Sequence, residues 1–551
     1  MKDQREKQEH QRQQEIIKKL QTVHCKNEKG ELVAPSVLID CGADREQYDK
    51  VRNIFNQRFD YKPAFIILVK CTDQVANAVK VAAEYELPLR VCSGRHDHEG
   101  ECSGNGTLLI DFREMVDWKV DGENVRIPPG VRFEDIIGGL AVDHDRSIPH
   151  GTCQSVGVAG FTMGGGWGPW TRKHGMCCER LVEATVVLGD GTVVTVTDQA
   201  PNKGETDYRD LLWALRGGGG FSYGIVTEFV IKTFPAPDHA IKFKVIWETT
   251  PALKVLERWE QITDPNYVGP FVEEIGNPKL VGTNLQIDTV PYRKEPVDES
   301  IHACTFYGYY VGNSPTYQEM VQELEIDIQR WFPDLMPTTI DIPKEEVNLK
   351  VSFSTWARPS SENAKRKLKG EPLHEFPGDV DDPAPHRLTS RMVRTEGLGD
   401  KGRKRLINSL RSDLVSVGGY AAGIHTYVTL GAIWGNFYKN YSRLEHPLGS
   451  AFPYKNRPYT IQYQCWWNEQ DIDKEHGKTF HVYRYVNEAL DWIDESRERN
   501  FPETLGSFIS FKDASIPTRQ YFLQSFDRLR QIKLAYCKDD NNLFRSRKTI
   551  I

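Results

Sequence analysis

Residues 151–168 read GTCQSVGVAGFTMGGGWG, with seven glycines in eighteen positions. Because glycine disfavours the interiors of helices and strands, this density predicts a loop that packs closely against another part of the structure. Two further glycine-bearing stretches flank it, SGRHDHEG at residues 93–100 and GGGGFSYG at residues 217–224. Bare backbone N–H groups can approach and donate to phosphates, so the three loops together predict a dinucleotide site.

Short β-rich runs lie next to these loops. Residues 64–70, AFIILVK, predict a buried strand, and Thr72 and Asp73 are candidate N-caps of a helix that ends before Pro88. A strand, a Gly-Asp-Gly turn and a second strand follow at residues 184–197. None of the three loops has the GxGxxG that opens a helix directly after a strand in a Rossmann fold, so a different nucleotide fold is expected.

Composition limits the class of protein. A chain of 551 residues is longer than one hydrophobic core usually supports, so two or three packed units are expected. The net charge of −7 has no dominant basic block, which disfavours nucleic acid as a partner and favours a small molecule. No apolar run reaches the ~18 residues of a membrane span, so no membrane partner is expected.

The cysteines and the N-terminus bear on location. The eleven cysteines contain no CxxC pair and no dense spacing, so neither a disulfide scaffold nor a zinc site is indicated and a reducing compartment is expected. Residues 1–20 are crowded with charged side chains and lack the apolar run of a secretory signal, which predicts a solvated helix or arm. The predicted location is the cytoplasm.

After about residue 235 the pattern changes to spaced strands and longer helices. The expected strands are residues 422–430, 459–466 and 507–511. The expected helices are residues 316–332, 482–497 and 518–536, and the polar, proline-bearing residues 364–387 predict an exposed loop.

These motifs resemble those of the berberine bridge enzyme-like flavoproteins of the vanillyl-alcohol oxidase superfamily. The family's SGGHSYEG appears here as SGRHDHEG, its GxCPTVGVGGHxxGGGxG as GTCQSVGVAGFTMGGGWG, and its GGGGGNFGIVTEF as GGGGFSYGIVTEF. FPYKNRPYTIQYQCW at residues 452–466 resembles FPHR...YxIQYxxxW, and AYCKDDNNLF at residues 535–544 resembles YDPDNLF. The order of the motifs is kept over almost the whole chain after about residue 50.

The resemblance implies an α+β fold. Its FAD-binding domain is of the PCMH type, with two α+β subdomains, and its substrate domain is an antiparallel sheet covered by helices. The implied boundaries are a charged lead-in at 1–50, the FAD-binding domain at 51–235, the substrate domain at 236–474, and a berberine-bridge-like segment at 475–551 that returns to the FAD-binding domain.

The resemblance also implies FAD held by two covalent bonds, from His96 to the flavin 8α-methyl carbon and from Cys153 to C6. Double linkage raises the reduction potential of a flavin. In general a lone histidine only hydrogen-bonds and a lone cysteine is a small buried hydrophobe; a metal site at His96, His98, Glu99 and Cys102 is disfavoured because the flavin ring is expected there. The other implied cofactor contacts are Ser93, Gly94, Arg95, Val156, Gly157, Gly160, Gly164, Gly165, Gly220, Tyr223, Gly224 and Ile225.

The catalytic base is left open by the sequence. Gln462 occupies the family's flavin-facing position, but an amide cannot be a base and can only orient the substrate. The proton acceptor is then Tyr459, Tyr463 or His98, and His98 stands where many relatives have tyrosine.

Several positions depart from the family pattern. Arg95 replaces a glycine and is expected to contact the FAD pyrophosphate or a surface carboxylate, and Phe161 replaces a histidine. The late pattern YxNYxD appears as Phe508, Ser510, Phe511 and Asp513, which removes two tyrosines and predicts an apolar wall. Trp434, Trp466 and Trp467 are candidates for stacking on a sugar or aromatic metabolite, or for the core.

The implied reaction is the two-electron oxidation of an alcohol, hemiacetal or C–N bond of a small molecule. Val156, three positions after the covalent cysteine, implies access of dioxygen and hence an oxidase that forms hydrogen peroxide, unless it is a packing residue. The alternatives are a dehydrogenase with another electron acceptor and a flavin-binding protein with little catalysis. Substrate and oligomeric state stay open.

Overall fold

The computed structural model describes residues 2–27, 29–40, 45–344, 383–415, 419, 423–442, 447–467, 479–498 and 502–551. The strands in this part of the chain are β1 Cys25–Lys26, β2 Leu32–Val33, β3 Ser36–Leu38, β4 Phe65–Leu68, β5 Leu89–Cys92, β6 Leu108–Asp111, β7 Lys119–Asp121, β8 Asn124–Ile127, β9 Arg146–Ser147, β10 Leu181–Val187, β11 Val193–Thr197, β12 Ile225–Lys232, β13 Phe234–Pro235, β14 Ile241–Trp247, β15 Leu280–Asp288, β16 Cys304–Tyr310, β17 Thr339–Asp341, β18 His386–Met392, β19 His425–Ala432 and β20 Tyr459–Trp466.

The α-helices are Lys2–Leu20, Arg45–Arg52, Thr72–Glu84, Phe133–His144, Val158–Gly164, Thr171–His174, Arg209–Leu215, Ala252–Thr263, Tyr317–Trp331, Gly399–Ser409, Asn436–Lys439, Thr479–Glu498, Arg519–Phe522 and Phe526–Tyr536. The mixture of helices and sheets confirms the predicted α+β class. Within the described residues no helix is long and apolar enough to cross a membrane.

The first sheet has the order β3-β4-β6-β5. The run AFIILVK supplies β4, all of whose residues are buried, and β4 and β5 lie parallel to β6 on either side of it. Helix Thr72–Glu84 covers the sheet because its apolar residues recur at helical spacing. The strand and the helix were predicted, but the N-cap is Cys71 and no side chain caps the helix.

The charged N-terminal helix Lys2–Leu20 docks at its C-terminal end. Ile16 and Leu20 are buried in the core of the first sheet, while most of the earlier residues are exposed. Cys25, just beyond the helix, forms a disulfide with Cys71. The spacing of the cysteines in the sequence did not predict this disulfide. Disulfides persist in oxidising compartments, so the bond weighs against the expected reducing compartment, and the cytoplasmic location stays a prediction.

We expect Cys25→Ser to lower the free energy of unfolding by about 3–4 kcal/mol, because the bond closes a loop with a sequence separation of 46 and restricts the unfolded chain. Urea unfolding of the two proteins measures the difference, with Cys102→Ser as a control at a thiol outside any disulfide. An unchanged midpoint, together with an intact mass that shows two thiols in the wild type, would contradict the prediction.

The second sheet has the antiparallel order β11-β10-β12-β8-β7. The predicted strand pair at 184–197 is the hairpin β10–β11. The prediction that residues 151–168 contain no regular element was wrong, because residues Val158–Gly164 form a short helix whose buried side packs into the core of this sheet. The glycines of this segment let its backbone pack closely against neighbouring residues, and they do not prevent a helix of two turns.

The large sheet has the antiparallel order β17-β14-β16-β15-β19-β20-β18. One face forms a hydrophobic core with helices Ala252–Thr263, Tyr317–Trp331, Gly399–Ser409 and Thr479–Glu498. The other face is turned towards the glycine-bearing loops. Because side chains alternate along a strand, each strand supplies apolar residues to the core and a second set to that open face.

The C-terminal segment returns to the first two sheets. Ile509, Phe522 and Leu529 are buried in the core of the second sheet, and Phe544 in the core of the first. Residues 507–511 contain a 3-10 turn, Ile509–Phe511, and not the predicted strand; the helix predicted at 518–536 is interrupted at Leu523, where φ is 44°. Most of the loop predicted at 364–387 lies outside the described residues.

Candidate active site

A cleft with a volume of about 420 Å³ lies between the glycine-bearing loops and the open face of the large sheet. This volume is in the range of small-molecule sites. One wall consists of the loops that carry His96, Cys153 and Gly220, the second of side chains from the large sheet, and the third of residues 508–512.

The His96 and Cys153 loops are in direct contact. A Cβ atom at Gly94 would overlap the backbone nitrogen of Gly157, and one at Gly157 would overlap the Ser93 hydroxyl. Because Gly94 and Gly157 have no side chains, the two loops can pack this closely. His96 and Cys153 therefore lie in one cleft although they are 57 positions apart in the chain.

His96 is held by two neighbours. Its ring stacks on Phe55 with centroids 3.8 Å apart, and its Nε2 is 2.7 Å from the Ser155 hydroxyl. Burial lowers its pKa well below 6.5, so the imidazole is neutral and carries a nucleophilic lone pair. Cys153 is partly exposed on the same cleft.

The strand β20 shows which of the predicted catalytic residues face the cleft. Gln462, Gln464 and Trp466 line it. Tyr459 and Tyr463 lie on the opposite face, buried in the core between the sheet and its helices, and Tyr459 donates to Glu260. The prediction that either tyrosine is the base was therefore wrong, because odd and even positions of a strand point to opposite faces.

Hydrogen bonds determine the orientation of Gln462. The Trp466 indole can only donate, so the Gln464 oxygen, 2.9 Å away, is its acceptor. The Gln464 amide nitrogen then donates to Thr429 at 3.0 Å and to the Gln462 oxygen at 3.4 Å. Gln462 is left with its NH₂ group as a donor to a substrate in the cleft.

The sheet wall contains further residues that sequence reasoning missed. They come from β14, β15, β16 and β19, and only the fold brings them opposite the loops. Their side chains are mostly amides, hydroxyls and phenols: Lys242, Asn284, Gln286, Tyr307, Tyr309, Tyr427 and Thr429. Alternating polar residues on these strands are the signal that could have identified them.

His98 lines the cleft and contacts a second histidine. Its Nδ1 is 2.9 Å from Nε2 of His386, whose Nδ1 is 2.9 Å from the carbonyl oxygen of Ala384. His386 is fully buried at the start of β18 and stacks on Trp466 at 4.0 Å. Sequence reasoning missed it because it falls at the end of a stretch that was expected to be a loop.

The third wall is apolar only in part, whereas the sequence predicted an apolar wall. Phe508 and Phe511 line it, and the Ser510 hydroxyl between them is buried without a hydrogen-bond partner. The next residue, Lys512, pairs with Asp97 and Glu101. In the described part of the chain no group of three or more histidine, cysteine or acidic residues is arranged to hold a metal ion.

Residues 63–197 match the family described as FAD binding domain, and residues 507–551 match the family described as berberine and berberine like. These matched segments carry His96 and Cys153 at one end of the chain and the third wall at the other. The chain therefore contains an FAD-binding domain and a berberine-like segment near its C-terminal end.

Individual relatives agree with this family. The chain is 36% identical to a glucooligosaccharide oxidase of Sarocladium strictum over 42% of this chain and 46% of that protein, which is less than half its length. It is 25% identical to an uncharacterised FAD-linked oxidoreductase of Bacillus subtilis (strain 168) over 91% of this chain and 95% of that protein. A solved structure of glucooligosaccharide oxidase from Acremonium strictum, described with a 6-S-cysteinyl, 8α-N1-histidyl FAD, shares the fold with a TM-score of 0.67, 19% identity, and coverage of 94% of this chain and 97% of that one.

The residues of this flavoprotein fit an FAD. The cleft holds both nucleophilic side chains, and among the described residues no atom outside its own stretch of helix lies within 4 Å of a Cβ built at Gly160, so bare backbone faces open space there. A Cβ built at Gly220 would meet the terminal methyl group of Met163 at 3.4 Å, which is ordinary van der Waals contact. Loops of this kind let backbone N–H groups reach the phosphates and the ring.

Most of the predicted cofactor contacts line the cleft, but Tyr223 and Gly165 do not. Tyr223 is buried behind the loop wall, where it donates to the Gly218 carbonyl, and Gly165 packs between Phe452 and Phe508. Arg95 lines the cleft, but its guanidinium pairs with Asp111, which is buried and not a surface carboxylate. The ones that line the cleft as expected are Ser93, Gly94, His96, Cys153, Val156, Gly157, Gly160, Gly164, Gly220, Gly224 and Ile225.

Backbone conformation explains the glycine that relatives carry at position 95. Arg95 has φ of 67°, in the left-handed region that favours glycine. Burial raises the pKa of Asp111 to about 6, and the nearby Arg95 guanidinium opposes that rise. The left-handed backbone conformation costs about 1 kcal/mol for a residue other than glycine. Arg95 adopts this conformation while its side chain forms the ion pair with Asp111.

We expect Gly94→Ala to lower stability by about 3 kcal/mol and to reduce the flavin content, because the new methyl group would force apart the loops of His96 and Cys153. Thermal unfolding and the ratio of flavin to protein absorbance measure the two effects. Gly106→Ala is the control, because in the described part of the chain no atom beyond the neighbouring residues lies within 4 Å of a Cβ at this glycine, although its φ of 68° adds some strain. Equal losses in both variants would contradict the role of close loop packing.

Proposed function

We propose that this chain oxidises a hydroxyl-bearing or hemiacetal carbon of a neutral, polyhydroxylated small molecule, with FAD bonded to His96 and Cys153 and with dioxygen as the electron acceptor. The observation that carries the proposal is that these two side chains share one cleft with a wall whose hydrogen-bonding groups, apart from Lys242, are uncharged amides, hydroxyls and phenols. The family and the relatives support the cofactor and the reaction class.

The double linkage is supported by the contact between the two loops. A histidine and a cysteine can both reach one ring only if their loops converge, and Gly94 and Gly157 allow this. The relative from Acremonium strictum carries a 6-S-cysteinyl, 8α-N1-histidyl FAD, which uses the same two residue types.

The substrate class is supported by the chemistry of the sheet wall. Amides, hydroxyls and aromatic rings suit the hydroxyl groups and apolar faces of a sugar. Among the described residues, the carboxylates that line the cleft are Asp97 and Glu101, and both are paired with Lys512. A cationic amine would therefore lack a counter-charge, and this favours alcohol oxidation over oxidation of a C–N bond.

Each protein group then has a role. An FAD held by His96 and Cys153 would supply the acceptor for a hydride from the substrate carbon and the route for two electrons to dioxygen. The NH₂ group of Gln462 donates a hydrogen bond to the substrate oxygen. His98, which lines the cleft near the third wall, accepts the proton of the substrate hydroxyl. Val156 lines the cleft on the loop of Cys153, where its small side chain leaves access for dioxygen.

The test is anaerobic mixing of purified protein with a panel of oligosaccharides, monosaccharides and simple alcohols. Bleaching of the flavin by an oligosaccharide, followed by rapid reoxidation in air with one hydrogen peroxide per flavin, is the expected result. Bleaching with slow reoxidation would replace the oxidase by a dehydrogenase. No bleaching by any member of the panel would overturn the proposed reaction.

A further inference from the structure

We infer that His386 is a positioning residue which, with the carbonyl group of Ala384, holds His98 in the tautomer protonated at Nδ1 and so keeps the lone pair of its Nε2 directed to the cleft as the catalytic base. The catalytic part rests on the proposed function. The tautomer itself does not, and it can be measured without a substrate.

The backbone carbonyl group of Ala384 determines the tautomers of both His386 and His98. A carbonyl oxygen can only accept, so the Nδ1 of His386, 2.9 Å from the Ala384 oxygen, carries a proton. In a neutral ring the Nε2 of His386 is then a bare acceptor. The Nδ1 of His98, 2.9 Å from that acceptor, must donate, which leaves Nε2 of His98 without a proton.

Both rings are neutral in this environment. Burial lowers the pKa of His98 to about 4 and that of His386 well below 6.5. The charged and titratable groups that face the pair are His96, Asp97, Arg58 and Lys512; only Asp97 opposes the lowering for His98. Among the described residues, Nε2 of His98 has no hydrogen-bond partner, so a substrate hydroxyl can take that place.

The pair is held rigidly. Asn56 is completely buried, and its NH₂ group donates to the carbonyl oxygens of both His98 and His386. Its oxygen accepts from the backbone N–H groups of His386 and Arg58. The stack of His386 on Trp466 fixes the plane of the second ring. Such support is needed because proton transfer depends on geometry within hydrogen-bond reach.

The proton balance is simple. The substrate O–H bond breaks and an N–H bond forms at Nε2 of His98, while the electron pair left on oxygen completes the C=O bond as hydride leaves carbon for the flavin. The resulting imidazolium keeps its Nδ1–H bond to His386, which spreads the new charge. A base whose pKa is about 4 suffices, because the hydroxyl proton becomes strongly acidic as hydride departs.

The first test is ¹⁵N NMR of protein labelled at histidine, with the signal of His98 assigned by its loss in His98→Gln. We expect a protonated Nδ1 and a bare Nε2 in the wild type. In His386→Phe, which keeps an aromatic ring against Trp466 but removes the acceptor, the proton should shift to Nε2 in a large fraction of molecules. A wild-type protein with a bare Nδ1 would overturn the inference, whatever the substrate proves to be.

The second test is the rate of flavin reduction by substrate in covalently loaded protein. His386→Phe should lower the rate about 100-fold, His386→Gln should restore most of it because an amide oxygen can accept from Nδ1, and His386→Phe should have no further effect in a His98→Ala background. His425→Phe, at a half-buried histidine on strand β19, which is separated from β18 by β20, is the matched control. Equal losses in both backgrounds would contradict action through His98.

Discussion

The His96→Ala, Cys153→Ala double variant is expected to release all of its flavin on acid denaturation, whereas each single variant keeps FAD attached through the remaining bond. In the proposed linkage each residue supplies an independent bond from its own loop, and the loops are in contact through Gly94 and Gly157. The intact mass and the absorption spectrum of the denatured protein measure the attached flavin.

Cys102→Ala is the matched control for the thiol, because Cys102 also lines the cleft and is not in a disulfide. Its FAD mass should equal that of the wild type. Release of flavin from the wild type, or retention by the double variant, would show that the linkage is absent or lies at another residue.

His98→Ala is expected to lower the rate constant for anaerobic flavin reduction by roughly 10²- to 10⁴-fold, the usual range for loss of a general base. Covalent flavin should be retained, because His98 lies against His386 and Phe511 and not between the contacting loops. Stopped-flow absorbance measures the rate. A change of less than 3-fold would exclude His98 as the base.

The rate of flavin reduction is expected to fall at acidic pH, because protonation of His98 removes the base. Burial lowers the pKa of His98 to about 4, so its bare form is present at neutral pH and is lost only as pH falls through about 4. The wild-type rate should therefore be flat from neutral pH down to about pH 5 and fall below that, and the residual rate of His98→Ala should lack this fall. A decline centred near 6.5 would mean that the ring is solvated.

Local sequence determined the elements that carry the cofactor. AFIILVK became β4, helical spacing placed the helix Thr72–Glu84, and glycine-rich loops became the wall that contains His96 and Cys153. These predictions depended on interactions between near neighbours, namely apolar periodicity and the conformational freedom of glycine, and such interactions are encoded within a few residues.

Sequence predicts the strand YTIQYQCW, but it does not show which of Tyr459, Gln462 and Tyr463 faces the cleft. Its period of two allows Gln462 to face the cleft only if Tyr459 and Tyr463 face away, and only the fold decides which set is turned to the loops. The disulfide of Cys25 with Cys71 likewise needed the docking of the N-terminal helix to become visible.

Local sequence patterns suffice for the class of protein, namely glycine-rich loops that carry a histidine and a cysteine, followed by an antiparallel sheet. The hydrogen-bond partners in the cleft depend on the tertiary structure, because His98 contacts His386 from a strand 288 positions later and Gln462 is oriented by Trp466 and Gln464. Hydrogen bonds of that kind depend on distances of about 3 Å between distant segments, and no local pattern specifies them.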